Sequence, residues 1–303
     1  MIAFVLSGAG NRGPLEVGAL KALQEASIKP DLITATSAGA INAVYVAAHG
    51  LDQPTLAAEM QDLWSRTTTD VIYPGNLLKV AWRFINKSES LYSSDGVRGL
   101  IRSALPAGVT TFAHLKIPLY TTSTDLLNSK LYLFGEDKNT PLIPAVLASA
   151  SVPLIHPPVE YNGLQLVDGG VLANVPASVA IEKGASEIYV INASYGGGKL
   201  KPADGVLEVA GRTLNTMLAQ SLLSDLERAD QDDTVNLYHI HLKGFESISF
   251  RDFSKTAAMV QMGYEQTKAF LVAPVARNLE PAGAGKPPVT VGGAREYIPS
   301  FMR

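Results

Sequence analysis

The chain has 303 residues, 47% of them hydrophobic, and a formal net charge of −3, enough apolar content to bury a large core. No basic cluster stands out that would track phosphates, so nucleic acid is excluded as an expected partner. There is no cysteine, which rules out a disulfide framework and a thiolate metal site, and no run approaches the roughly eighteen apolar residues of a membrane-spanning helix.

In chain order, Ile2 to Leu6 reads as a buried strand and is too short, without a basic start, for a signal peptide. It runs into Ser7-Gly8-Ala9-Gly10-Asn11-Arg12-Gly13-Pro14. Pro14 suits the first turn of a helix, and Leu15, Val17, Gly18, Leu20, Ala22 and Leu23 then give an apolar helical face to about Ala26. A glycine-rich strand-to-helix loop aims backbone N–H groups and the positive end of a helix dipole at one point, which suits a phosphate or a reaction oxyanion. The spacing Gly8-x-Gly10-x-x-Gly13 also fits a dinucleotide fingerprint. That reading is disfavoured, because the acid nearby, Asp31, precedes the second strand instead of ending it.

The second strand, Leu32–Ala35, leads through Thr36 into Ser37, and an alanine-rich helical pattern runs on to His49. Strand, serine, helix is the layout that lifts a serine hydroxyl clear of a sheet, with small residues needed two places to either side. Here they are Ala35 and Gly39, so the first glycine of G-x-S-x-G is replaced. Taken alone, a serine opening a helix is more often an N-cap.

A polar helical stretch follows around Leu56–Trp64. Asn76 to Lys87 then fits a short amphipathic helix. Leu77, Leu78, Ala81, Trp82 and Ile85 lie on one side, and Lys79, Arg83 and Lys87 on the other. Either a lipid-facing helix or a cap helix packed on the core has this pattern. Strands are expected at Ile117–Ser123, Lys130–Phe134, Leu164–Val167, Glu187–Ile191 and Val235–His241, with a hairpin at Lys130, and helices at Val206–Arg228 and Phe253–Leu271, the second covering the sheet. The alternation argues for an α/β layered sheet with mostly parallel central strands flanked by helices. Residues 1–280 are expected to form a single domain and 281–303 a loosely packed tail. Tyr195 to Lys201 reads as a surface loop.

Two further segments complete the pattern: Ser149-Ala-Ser151-Val-Pro153 with His156 after it, and Asp168-Gly169-Gly170 with Asn174-Val-Pro176 after it. By itself Asp-Gly is a turn signal. Together with Gly8–Gly13 and Ser37, however, these segments resemble the patatin-like phospholipase family in order, spacing and flanking residues, from Ile2 to about Ser194. The resemblance implies a patatin-like fold and a cofactor-independent serine hydrolase of acyl esters, phospholipids or lysophospholipids above all. It implies Ser37 as nucleophile, Asp168 as its base with no histidine between, and Gly8, Ala9 and Gly10 as the oxyanion loop. Arg12, Gly13, Gly39 and Gly169 are supporting residues, Arg12 either bracing the loop or meeting a head group. Acyl transfer by the same dyad, or an idle lipid- or protein-binding scaffold, are the alternatives.

His156 stands where family members often carry phenylalanine and reads as a packing residue. Asp125, between a strand and a hairpin, reads as a turn residue. His239 and His241 share a strand face and are expected to be a polar face, not metal ligands, so no metal or cofactor is called for. The protein is expected to be cytoplasmic, touching a membrane only peripherally, through Leu77–Ile85.

Overall fold

The computed structural model of the chain describes residues 1–74, 89–194 and 203–274. The amphipathic segment at 76–87, the loop at 195–201 and the tail at 281–303 lie outside the described residues. Among the described residues, eight strands form one sheet: β1 (Ile2–Leu6), β2 (Leu32–Ala35), β3 (Leu119–Asp125), β4 (Lys130–Phe134), β5 (Val159–Tyr161), β6 (Leu164–Asp168), β7 (Glu187–Asn192) and β8 (Asn236–His241). The helices in chain order are α1 (Gly13–Glu25), α2 (Ala38–His49), α3 (Leu56–Ser65), α4 (Thr69–Ile72), α5 (Asp95–Ser103), α6 (Leu142–Ser149), α7 (Gly170–Ala173), α8 (Ala177–Glu182), α9 (Val206–Asp230) and α10 (Thr256–Val272).

The central strand is β1, parallel to β2 on one side and to β7 on the other, with β8 parallel beyond β7. Its five-residue apolar run reflects burial on both faces, as parallel strands require. Phe4 and Leu6 enter one core, together with Ile33, Ala35, Tyr189 and Ile191. Ala3 and Val5 enter the other, together with Leu32, Ile188 and Val190. Helices α1, α2 and α3 supply the first core and α8 and α9 the second, so the sheet is the middle of three layers.

At β3 the sheet turns mixed. One edge of β3 carries antiparallel β4, from Thr121 to Asp125. The other edge carries parallel β2 against Leu119–Thr121 and then antiparallel β6 against Ser123–Asp125. Two strands therefore share one edge and run toward each other. Ala35 ends its pairing opposite Thr121, and Asp168 ends its pairing opposite Ser123. That head-on meeting determines the site.

Expected and observed elements differ in instructive ways. β3 starts two residues late because Pro118 has no N–H to give a ladder, and it runs on to Asp125 because β4 and β6 continue the pairing. β5 and the helices α4 to α8 have no counterpart in the sequence reading. α6 is buried nearly all round and shows no amphipathic stripe, and its Pro144 sits in the first turn, where proline is tolerated. α10 covers the sheet one layer out, packing on α1 and α3.

Candidate active site

The chain leaves β2 through Thr36 and turns at Ser37 with φ 58° and ψ −125° before entering α2. A non-glycine residue held there costs on the order of 1–3 kcal/mol, so the surroundings must impose it. They do so by close packing and hydrogen bonds. A Cβ on Gly39 would sit 2.5 Å from Ser7 O and 2.7 Å from Leu6 O, and the Gly39 N–H donates to Ser7 O at 3.1 Å. The Ser37 N–H donates to Ser149 Oγ at 3.0 Å. Thr36 Oγ1 donates to Ala173 O at 2.8 Å and lies 2.6 Å from Thr122 Oγ1. Ala35, in place of the usual glycine, is fully buried in the core.

Asp168 arrives from the opposite direction at the end of β6. Its N–H donates to Ser151 O at 2.9 Å, and its Oδ1 accepts the Gly170 N–H at 2.8 Å. At Gly169 the chain passes so close to Thr122 that any Cβ would strike the threonine's backbone carbonyl and hydroxyl. Burial pushes the Asp168 carboxyl up to about 6; the Ser37 hydroxyl and the Gly170 N–H pull the other way. The Ser37 hydroxyl is thus near enough to favour the charged carboxylate. Oδ2 nevertheless has no partner at full hydrogen-bond geometry, so the contact is a loose one, as is common before substrate arrives.

The glycine-rich loop passes directly beside the serine: a Cβ on Gly8 would lie 3.3 Å from Ser37 Cβ. The three expected donors are not equivalent. The Gly8 N–H donates to Asn174 O at 2.9 Å, and Asn174 Nδ2 donates back to Gly8 O at 3.3 Å. Gly8 is therefore tied to Asn174 through both its N–H and its carbonyl. For the N–H groups of Ala9 and Gly10 no protein acceptor is found among the described residues.

Gly13 opens α1 beneath the indole of Trp64, and its carbonyl accepts from Asn42 Nδ2 at 3.0 Å. Arg12 is 1% exposed and donates to Ser194 O at 2.9 Å and to Leu242 O at 3.0 Å. These bonds tie the loop to the segments that follow β7 and β8.

His156 is buried, with Nε2 3.2 Å from Ile72 O and its ring parallel to that of Tyr73. Burial keeps its pKa low. Asp125 closes the β3–β4 hairpin, accepting from the Leu127 N–H at 2.9 Å and from Asn128 Nδ2 at 2.6 Å. The rings of His239 and His241 stack on one face of β8, 5.5 Å apart, and His239 Nε2 lies 3.1 Å from Asn192 Nδ2. Among the described residues no group of three or more His, Cys, Asp or Glu is placed to hold a metal ion, and no helix is long and apolar enough to cross a membrane.

Sequence reasoning gave no role to four residues that hold the site. Ser149 and Ser151 hold Ser37 and Asp168 respectively, and Asn174 ties the glycine loop to the aspartate loop. The fourth is Glu16, an acid in line with Leu20 and Leu23 on the apolar face of α1 and fully buried. A charged residue in register with an apolar helical stripe was the available signal.

A family model described as "Patatin-like phospholipase" matches residues 4–181. An uncharacterised NTE family protein of Mycobacterium bovis is 30% identical over 230 residues, covering 75% of this chain and 59% of that one. Lysophospholipase NTE1 of Meyerozyma guilliermondii is 27% identical over 198 residues, covering 63% of this chain and 12% of that protein. The chain thus spans only part of the length of these relatives. Among solved structures, human GIVD cytosolic phospholipase A2 in complex with a fluorophosphonate inhibitor is similar with a TM-score of 0.47 and 13% identity, covering 90% of this chain and 58% of that one.

Proposed function

The chain belongs to the patatin-like phospholipase family, and on that premise we propose that it hydrolyses acyl esters of phospholipids or lysophospholipids through a Ser37–Asp168 dyad. The observation that carries this reading is the head-on approach of β2 and β6 along one edge of β3, which delivers a strained serine and a buried aspartate to one point. A serine hydroxyl needs a base to become a useful nucleophile, and a carboxylate with its pKa near 6 is ionised at neutral pH yet basic enough to take a proton.

In the proposed reaction Ser37 Oγ attacks the ester carbonyl carbon while its proton passes to Asp168. The oxyanion is met by the N–H groups of Ala9 and Gly10, backed by the dipole of α1. Collapse breaks the bond to the leaving alcohol, which takes the proton from Asp168. Water, deprotonated by the same carboxylate, then attacks the acyl-Ser37 ester; the bond to Ser37 Oγ breaks, Oγ takes the proton back from Asp168, and the fatty acid leaves. Each oxyanion donor is worth about 2.7–4 kcal/mol in comparable sites, and fixed donors need no rearrangement as charge develops.

The test is a fluorophosphonate probe with intact-mass analysis, run beside turnover of a p-nitrophenyl ester and of a lysophospholipid. The wild type should gain one adduct at Ser37 and hydrolyse both esters. Folded Ser37→Ala should gain none and be inactive. Retained turnover in that variant would assign the chemistry to another residue.

A further inference from the structure

One fully buried acid has no part in the proposed chemistry. Glu16, in the first turn of α1, is 0% exposed, and its two carboxyl oxygens face two different parts of the site. Oε1 lies 3.1 Å from Ser7 Oγ. Ser7 follows β1 and starts the glycine-rich loop; its Oγ accepts the Ala193 N–H at 2.9 Å, and its carbonyl accepts the Gly39 N–H. Oε2 accepts from Asn42 Nδ2 at 2.9 Å. Asn42 lies in the second turn of α2, the helix that starts at Ser37, and the same amide group donates to Gly13 O. Trp64 Nε1 donates to Asn42 Oδ1 at 2.8 Å, which fixes the orientation of the amide. The Ser7 hydroxyl donates to Oε1 when the carboxyl is charged; with Asn42 obliged to donate to Oε2, an acid proton on Glu16 has its place on Oε1, and the rotatable Ser7 hydroxyl then turns to accept it.

Among the described residues, no charged group forms a hydrogen bond with this carboxyl. Arg12, on the turn before α1, gives its guanidinium to Ser194 O and Leu242 O. The groups facing Glu16 from α2 and β1 are neutral Asn42 and Ser7, and α3 adds the indole of Trp64. On α2, Tyr45 and His49 lie further along, Tyr45 bonded to Glu59 of α3. α10, packed on the outer side of α1, offers Tyr264, whose hydroxyl goes to Glu25 at the far end of α1. A carboxylate without a countercharge at such depth is costly, and the neutral acid is the form the site accommodates.

We propose that Glu16, held as a neutral acid, is a positioning residue for acyl transfer, locking the start of the oxyanion loop to the helix that carries the nucleophile. The proposal rests on the catalytic reading of Ser37 and the Ala9–Gly10 donors. Its physical content is twofold. Glu16 joins three backbone segments whose relative placement sets the distance from Ser37 to the oxyanion donors, and its neutrality keeps negative charge away from a site that must stabilise an oxyanion. Ionisation of Glu16 would oppose both. Burial raises its pKa to about 8, against the hydrogen bonds from Asn42 and Ser7, so ionisation falls within the working range of an alkaline assay.

The experiment compares wild type, Glu16→Leu and Glu16→Gln for kcat, KM and their pH profiles, with Ser37→Ala alongside. Gln presents an oxygen to Asn42 and an N–H to Ser7 Oγ, as the neutral acid does, and cannot ionise. Glu16→Leu should lose about 10- to 100-fold in kcat with KM little changed, and Glu16→Gln should rescue it. The wild-type kcat should fall as pH rises through about 8, and that of Glu16→Gln should not. A Gln variant as damaged as Leu, or one with the wild-type alkaline fall, overturns the proposal. If Glu16→Leu does not fold, wild type against Gln decides alone.

Melting temperature gives a readout independent of turnover. An acid whose pKa is raised on folding contributes stability in full below its unfolded value, lost as pH rises through the folded one. The wild type should therefore lose stability relative to Glu16→Gln between about pH 4.5 and pH 8, with the difference constant above. A flat difference shows that Glu16 is charged and overturns the proposal. Absence of Ser37-dependent turnover in the wild type removes the catalytic reading and the positioning role with it, and is recognised by the Ser37→Ala control.

Discussion

Ser37 and Asp168 reach the same edge of β3 by different physical means. Ser37 is held by sterics: a strained backbone, a glycine two residues on with no room for a methyl group, and a strand–helix approach tight enough to bring Gly39 onto Ser7 O. Asp168 is held by electrostatics: a carboxyl in a dry place, one oxygen on the Gly170 N–H and the other without a well-aligned partner. Changes to the packing around Ser37 should therefore damage folding and activity together. Changes on the aspartate side should remove activity from a folded protein, and can even relieve a cost of folding.

The sharpest test of that contrast is Asp168→Asn. The amide keeps the acceptor for Gly170 N–H and the shape of the turn, but it cannot take a proton. We expect kcat to fall by at least about 10⁴-fold, the scale seen when the orienting acid or the base is removed in serine hydrolases, while the melting temperature holds or rises. A variant that unfolds would show that the charge is structural.

The pH dependence separates the two properties in the wild type. Asp168 must be ionised to act as base, so kcat/KM should rise with pH and level off above about 6, with one proton released. The stability term has the opposite sign. With its pKa raised from 3.8 to about 6, Asp168 contributes stability that is full below pH 3.8 and lost as pH rises through about 6, a difference on the order of 3 kcal/mol. Asp168→Asn should remove that share of the pH-dependence of melting. Activity and this part of the stability rising together with pH would break the comparison.

On the serine side, Gly39→Ala adds a single methyl group 2.5 Å from Ser7 O. Neither backbone segment can move without shifting Ser37 or the oxyanion loop, so overpacking should cost about 1–3 kcal/mol and lower activity as well. Thermal melting and turnover of a soluble ester would both report it. A fully active variant of wild-type stability would mean that the elbow is looser than its geometry.

The same contrast explains what was legible in the sequence. The glycine loop, Ser37 and the Asp168 turn are local patterns in which neighbouring residues carry the constraint, and the alternation of strands and helices gave the layered sheet. The meeting of β2 and β6 was not legible, because it depends on the register of two strands far apart in sequence against β3. Ser149 lies 112 residues from Ser37, and Asn174 lies 166 from Gly8; no local pattern reveals that one accepts the other's N–H. Gly8 shows the cost of that blindness. Its place in the loop suggests a free donor, yet Asn174 O takes its N–H. α6 was missed for a different reason, since a helix buried on nearly all sides has no polar face from which to read its period.

The smallest effect is expected at His156, and it marks the edge of the site. The ring is 4% exposed and lies 6.1 Å from Tyr73, centroid to centroid, at 15°. Nε2, facing Ile72 O at 3.2 Å, must carry the proton. Nδ1 is then a buried lone pair with no donor, a cost the fold bears without evident return. His156→Phe removes one hydrogen bond, worth about 0.5–1.5 kcal/mol. It also removes the unsatisfied nitrogen and keeps a flat ring against Tyr73. These terms largely cancel, so the melting temperature should move by no more than about 2–4 °C, the shift that 1 kcal/mol produces in a domain of this size class. Since Asp168 faces Ser37 without an intervening imidazole, kcat/KM should stay within about twofold and the acid limb near pH 6 should not move. A loss approaching that of Asp168→Asn would make the histidine the base and the aspartate its support, and would reverse the roles assigned to the two sides of β3.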